Sequence, residues 1–220
     1  MKKANKNILF TANIMLIAFV LWTIAIKVID VKTIGPLKSS VGFATINSFM
    51  HSLTGVHMSL YVITDWLGLV PFVVVIGFGI LGLLQWIKRK RLSMVDYDIL
   101  TLGGFYIVVM AVYILFETLV INYRPVLING CLEASYPSST TMLVMCVMPT
   151  AIMQFNNRIK NLVLKRCVIF AITVFIVFMV IGRLISGVHW FTDIIGGALL
   201  STGLVLQYRN LAYHKYKTIK

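Results

Sequence analysis

Uncharged apolar stretches about as long as a bilayer is thick recur along this chain. A helix needs about 20 residues, at about 1.5 Å rise each, to cross roughly 30 Å of hydrocarbon. By that ruler the segments 7–26, 67–87, 99–119, 138–155, 167–182 and 190–208 are candidate spans. The predicted fold class is therefore an all-α integral membrane protein with six transmembrane helices. Composition agrees, because 59% of the 220 residues are hydrophobic and only 12% are charged, whereas soluble domains carry about a quarter charged residues. That excludes an ordinary cytosolic enzyme, a disordered tail and a disulfide-stapled secreted module. The three cysteines (Cys131, Cys146, Cys167) are odd in number and lie in or beside apolar runs, which implies no disulfide framework. No fixed-period repeat and no Ser/Pro-rich linker divides the chain, so one domain over 1–220 is expected. The first span is long for a signal peptide and no small-x-small site precedes Lys27, so it reads as retained.

Lysine and arginine set the orientation, since short basic loops stay cytoplasmic. Lys2, Lys3, Lys6, the run Lys88 to Arg91, Arg158, Lys160, Lys165, Arg166, Arg209, Lys215, Lys217 and Lys220 fall on one side of a six-span plan, fifteen in all. Lys27, Lys32, Lys38, Arg124 and Arg183 fall on the other, only five. Both termini are then expected in the cytoplasm of a multi-pass cell-membrane protein. The net charge of +13 is mostly this topology signal; it implies no nucleic-acid partner, although basic rims favour anionic membrane lipids.

Between the first two spans, Ile46, Phe49, Leu53, Val56 and Leu60 follow helical spacing, with Asn47, Ser48, His51 and Ser52 on other faces. Two readings stand: a helix lying in the outer interface, or an irregular loop with chance periodicity, since Gly55 interrupts the pattern.

Ionisable groups are costly in a spanning helix, at about 2.5–3.5 kcal/mol per central charge. This chain nevertheless places Glu117, Arg124, Arg183, His189 and Asp193 near the outer ends of its spans. Two arginines offer planar forks suited to phosphate oxygens. His189 and Asp193 are four residues apart, so on a helix they share a face. The carboxylate could then hold one ring N–H and turn the other nitrogen, unprotonated, toward a substrate. The plainer reading is a helix-start pair, with Asp193 in the first turn and His189 just outside. In the preceding outer loop Arg124-Pro125 is followed by Pro137-Ser138-Ser139-Thr140-Thr141, leading into the fourth span. Hydroxyls there cap a helix start, and the same free N–H groups form an anion site.

These residues resemble the type 2 phosphatidic acid phosphatase (PAP2) family, which also includes glucose-6-phosphatase and vanadium haloperoxidases. The family pattern is Lys-x6-Arg-Pro, then Pro-Ser-Gly-His, then Ser-Arg-x5-His-x3-Asp. The third part stands here as Arg183, His189 and Asp193, with Gly182 where serine is usual; the first survives as Arg124-Pro125 and the second as Pro137-Ser138. The resemblance implies that His189 attacks phosphorus to give a phosphohistidine while Asp193 holds its ring. It also implies that Arg124, Arg183, Ser138 and Ser139 bind the phosphoryl group, with no metal and no cofactor. The implied activity is hydrolysis of a lipid phosphate or diphosphate on the extracytoplasmic face. The alternatives are a lipid phosphotransferase or a catalytically weak phosphate-binding relative.

Two positions depart from the pattern: Glu117 stands where the family has lysine, and Thr140 where it has a second histidine, the acid that protonates the leaving group. Loss of a general acid costs about 10²- to 10⁴-fold in rate. A diphosphate would need that acid least, because phosphate is a better leaving group than an alkoxide. Otherwise the proton comes from elsewhere. His51 or His57 could fold over the site, though a lone histidine in such a segment is commonly a wet surface residue. Glu117 could serve if burial raised its pKa, or, two helical turns before Arg124, could simply pair with it. A transport path lined by Arg124, Arg183 and Asp193 would need charge accessible from both faces, and the cytoplasmic halves of the spans carry almost none.

Gly77-Phe78-Gly79-Ile80-Leu81-Gly82 fits the dinucleotide fingerprint by letter, but no strand precedes it. Close helix packing through small residues is the expected role, as for Gly103-Gly104 and Gly196-Gly197. Asp65, just before Trp66, reads as an interfacial residue.

Overall fold

The computed structural model describes residues 2–215, with side chains for residues 6–212. Of the basic residues that set the orientation, Lys217 and Lys220 lie outside the described residues, as do the side chains of Lys2, Lys3 and Lys215. Among the described residues the chain is all helical, without strands: α1 Lys2–Val28, α2 Ala44–Thr54, α3 Met58–Leu67, α4 Val70–Arg89, α5 Tyr97–Thr118, α6 Ser139–Arg158, α7 Leu162–Ile185 and α8 Phe191–Lys215.

Four segments are long and apolar enough to cross a membrane: Lys6–Val28, Met58–Arg89, Tyr97–Thr118 and Leu162–Ile185. α6 and α8 are not among them, and their packing explains why. α6 lies against α4, α5, α7 and α8, while α8 lies along α1 and α6. Several of their polar side chains face inward and find partners. Ser201 donates to the Gly197 carbonyl at 2.6 Å, and Gln154 donates to the Tyr208 hydroxyl at 2.9 Å. Helices enclosed by other helices need less lipid-facing apolar surface.

Most elements outrun their expected bounds. α7 takes Lys165 and Arg166 into its first turns, leaving only residues 159–161 between α6 and α7. The second span has its own N-terminal piece, α3, separated from α4 by a turn at Gly68-Leu69. The periodicity running to Leu60 is split: α2 stops at Thr54, because Gly55 adopts φ 68°, a conformation that ends helices. Leu60 belongs to α3. The start of α2 lacks its own side-chain cap, and Asp30 from the α1–α2 connection substitutes. Its carboxylate accepts from the Thr45 N–H at 2.6 Å and pairs with Lys32 at 2.9 Å. Those two partners lower its pKa to about 2.

The glycines divide into two kinds. A Cβ on Gly196 would lie 2.4 Å from the Tyr136 ring, so this glycine does serve close packing. Gly77, Gly79, Gly103 and Gly104 are different, because a Cβ on any of them would meet nothing within 4 Å. The expectation of close packing fails there. Gly79, Gly82, Gly103 and Gly104 instead line a groove of about 860 Å³ between α4 and α5.

The end of the bundle opposite Arg124 and Arg183 carries a second set of charges. Arg158, closing α6, reaches Asp98 at 2.7 Å and Asp96 at 3.6 Å, while Arg89 reaches Asp96 at 2.8 Å. The Arg89 hydrogen bond holds the Asp96 carboxyl below the usual carboxylate range. The interior of the bundle is thus framed by ion pairs at both ends.

Candidate active site

The loop from α5 to α6 folds back on itself. Asn129 and Gly130 both have positive φ, 50° and 79°, as a two-residue reversal requires. Returning, the Arg124 N–H donates to Glu133 O at 3.1 Å and the Ser135 N–H donates to Asn122 O at 2.9 Å. This pairing carries Ser135 and Arg124 to the mouth of the bundle. Ser138 then caps α6, its Oγ accepting from the Thr141 N–H at 3.4 Å, while its own N–H donates to Asp193 O at 3.1 Å. The start of α6 is thereby tied to the start of α8.

The other side of the mouth is the α7–α8 connection. Gly187 has φ 68°, and a Cβ there would lie 1.9 Å from Gly55 O. The His57 N–H donates to Ser186 O at 3.0 Å. The α2–α3 linker therefore lies in backbone contact with this loop. Replacing Gly187 with alanine is expected to destabilise the fold by more than the roughly 1–2 kcal/mol of left-handed backbone alone, since the linker must also move. A thermal melt in detergent checks this, and an unshifted midpoint would contradict the contact.

His189 lies in that loop, outside α8, and Asp193 lies in the first turn of α8. The two therefore do not share a helical face. His189 Nδ1 is 3.8 Å from Asp193 Oδ2, beyond hydrogen-bond range, but 3.1 Å from Ser135 O and 3.2 Å from Ser135 Oγ. The Ser135 hydroxyl in turn donates to Asp193 Oδ2, which also accepts the Trp190 N–H at 2.8 Å. The buried Asn122 amide approaches the same carboxylate.

The protonation of the imidazole follows from its neighbours. A carbonyl only accepts, so Nδ1 carries the proton; a guanidinium only donates, so Nε2, 3.3 Å from Arg183 Nη2, presents its lone pair. Burial first, then the charges of Arg124 and Arg183, holds the His189 pKa well below its ordinary 6.5. The ring is neutral at physiological pH.

Arg183 is 1% exposed. Its Nη1 faces Thr64 Oγ1 at 3.4 Å and Asp65 Oδ1 at 3.5 Å, and its Nε has no hydrogen-bond partner. Arg124 pairs through Nε with Glu133 at 3.1 Å, and its buried Nη1 has no partner. Both guanidinium groups lie over the Tyr61 ring, at 5.9 Å for Arg124 and 5.0 Å for Arg183, within cation–π range.

Other candidate residues lie at the margin. Ser139 and Thr140 are half-buried in the first turn of α6. Glu117 is exposed and lines a small cavity with Tyr113, Ser135 and Ser139. Its expected pairing with Arg124 along one helix does not form, because α5 ends at Thr118 and Glu133 is the partner. His51 Nε2 donates to Gly187 O at 3.2 Å, and His57 Nε2 donates to Thr54 O at 2.8 Å. Both rings brace the backbone of this region.

Four residues beyond those the sequence placed there complete the site: Ser135, Tyr61, Thr64 and Asp65, the last of which it read only as an interfacial residue. Asn129-Gly130 was a readable signal for the reversal that delivers Ser135. Nothing in the α3 sequence pointed to the other three, whose role depends on α3 leaning against α7.

An all-helical membrane protein with one buried and one half-buried arginine beside a neutral, lone-pair-bearing histidine is the class these features define. The chain belongs to the PAP2 superfamily, whose sequence model matches residues 98–217. Its fold is similar to the crystal structure of a transmembrane PAP2-type phosphatidylglycerolphosphate phosphatase from Bacillus subtilis. The identity is 21% over 95% of this chain and 97% of that chain, with a TM-score of 0.52. Among curated proteins none matches.

Proposed function

We propose that the chain is a membrane phosphatase that hydrolyses a lipid phosphate or diphosphate through a phosphohistidine on His189. The observation that carries the reading is the set of buried N–H groups on Arg124 and Arg183 that lack partners beside the lone pair of His189 Nε2. Unpaired buried donors are costly, and a phosphoryl group would satisfy them. In this reading the arginines, with Ser138, Ser139 and the start of α6, hold the equatorial oxygens. Nε2 attacks phosphorus, and Ser135 and Asp193 keep the ring oriented. Phosphoryl transfer rests largely on such positioning and electrostatics. Family membership, and likeness to a lipid phosphatase fold, agree with this assignment.

The membrane arrangement belongs to the same proposal. α1, α3 with α4, α5, α6, α7 and α8 are six crossings of one domain over 1–220. Both termini are cytoplasmic, α2 lies in the outer interface and the site opens extracytoplasmically. The clustering of Lys88 to Arg91, Arg158, Lys165 and Arg166 at the end opposite Arg183 supports this orientation.

The test is phosphate release by purified protein over a panel of long-chain lipid mono- and diphosphates. Release from panel members is expected. Binding of the lipids without release would point to a phosphate-binding relative, and transfer to an added alcohol in preference to water would point to a phosphotransferase.

A further inference from the structure

The phosphatase reading leaves the leaving-group proton without a source, because Thr140 cannot supply it near neutral pH. We propose that Asp65, at the C-terminal end of α3 and outside the region matched by the family, is the general acid and base of this site. This assignment rests on that reading.

The geometry around Arg183 points to it. The two terminal nitrogens of one guanidinium face different groups: Nη2 faces His189 Nε2 at 3.3 Å, and Nη1 faces Asp65 Oδ1 at 3.5 Å. A phosphoryl group held by that fork has the attacking nitrogen on one side and the Asp65 carboxyl on the other. An in-line displacement needs its proton donor on that second side. Asp65 is also on the segment that packs against Thr140. A Cβ on Gly68 would lie 3.5 Å from Thr140 Cγ2 and 2.8 Å from Asp65 O. The carboxyl is 58% exposed, so a departing alcohol or an entering water can reach it. The other candidates lack these contacts, since His51 and His57 are engaged with backbone carbonyls and Glu117 faces the small cavity beside Ser139.

The steps balance. Asp65 takes up a proton from solvent as the phosphoryl anion binds beside it; Nε2 of His189 then attacks phosphorus, the bond from phosphorus to the leaving oxygen breaks, and that proton moves onto the leaving oxygen, releasing an alcohol. The Asp65 carboxylate then takes a proton from water as the water oxygen attacks phosphorus. The P–N bond breaks, its electron pair returns to Nε2, phosphate leaves, and Asp65 returns its proton to solvent.

Asp65→Asn, Asp65→Glu and the unmodified protein distinguish this role from simple support of Arg183. Formation of phosphohistidine is followed in single turnover with dodecyl phosphate, whose alkoxide leaves poorly, and with para-nitrophenyl phosphate, whose phenolate leaves readily. Asp65→Asn is expected to slow phosphorylation by dodecyl phosphate about 10²- to 10⁴-fold. With para-nitrophenyl phosphate the slowing should be smaller by about tenfold or more, with phosphohistidine accumulating because water is no longer activated. Asp65→Glu should recover part of the dodecyl phosphate rate. Equal slowing with both substrates, together with a raised KM, would overturn the assignment and leave Asp65 as a support for Arg183. If the unmodified protein forms no phosphohistidine from either substrate, the phosphatase reading itself fails, and this assignment falls with it.

Discussion

His189→Ala is expected to remove phosphate release, by about 10⁴-fold or more, while the protein stays folded. The expectation follows from covalent chemistry, since the attacking lone pair in this reading is that of the neutral His189 Nε2, 3.3 Å from Arg183 Nη2. Loss of a nucleophile is not offset by the groups that position it. Folding is expected to survive because the ring is neutral, so its removal breaks no ion pair and forfeits only the hydrogen bonds to Ser135 and to the Arg183 guanidinium. Alanine leaves a cavity and one fewer partner for Ser135, worth a few kcal/mol at most. The measurement is phosphate release beside a thermal melt. Retained release in a folded variant would end the phosphohistidine assignment. The depressed His189 pKa adds a signed consequence. In the unfolded chain this histidine binds a proton near 6.5, while in the folded protein it stays neutral, so folding loses stability as the pH falls below 6.5.

Arg183→Met should raise stability and abolish turnover together. Arg183 is almost fully enclosed, its Nε is unpartnered and its one acidic neighbour is 3.5 Å away and mostly exposed. Replacing weakly compensated buried charge with an apolar side chain of similar shape is often neutral or stabilising by about 1–4 kcal/mol. In the proposed mechanism the same change removes a donor to the transferring group, which costs about 10²- to 10³-fold in rate. A melt midpoint that rises while phosphate release collapses is the expected pair of results. A strongly lowered midpoint would mean that the guanidinium holds the bundle together instead of waiting for an anion.

What the chain revealed before folding was its periodic and local content. The apolar runs located most helices because hydrophobic length is additive along a sequence. As folded helices α6 and α8 are less apolar than the other four segments for a physical reason, namely that helices wrapped by other helices are released from the demand for apolar surface. Arg124, Arg183, His189 and Asp193 were identifiable by spacing, and the structure brings them to one mouth. Their connections were not. Spacing of four residues suggested a direct contact between His189 and Asp193, yet the helix begins after His189 and the Ser135 hydroxyl stands between them. Asp65 read as an interfacial residue because its partner is 118 positions away in the chain, and only the lean of α3 on α7 joins them. Gly77, Gly79, Gly103 and Gly104 looked like packing surface as Gly82 did, but only Gly82 meets a neighbour, Ile99, and whether one approaches is a tertiary property that letters do not carry.

The polarity of α6 and α8 bears on how such a bundle is built. Thr141, Thr150, Gln154 and Ser201 are all buried against protein, and in hydrocarbon their unmet hydrogen bonds would each be unfavourable. During synthesis α1, α4 and α5 precede α6 and can enter lipid on their own hydrophobicity. In the proposed six-crossing arrangement α6 then needs those earlier helices as its solvent, and α8 needs α6. Biogenesis in that arrangement is a sequence of sheltered arrivals, and a ribosome stalled before α8 would leave the inward face of α6 looking at the bilayer.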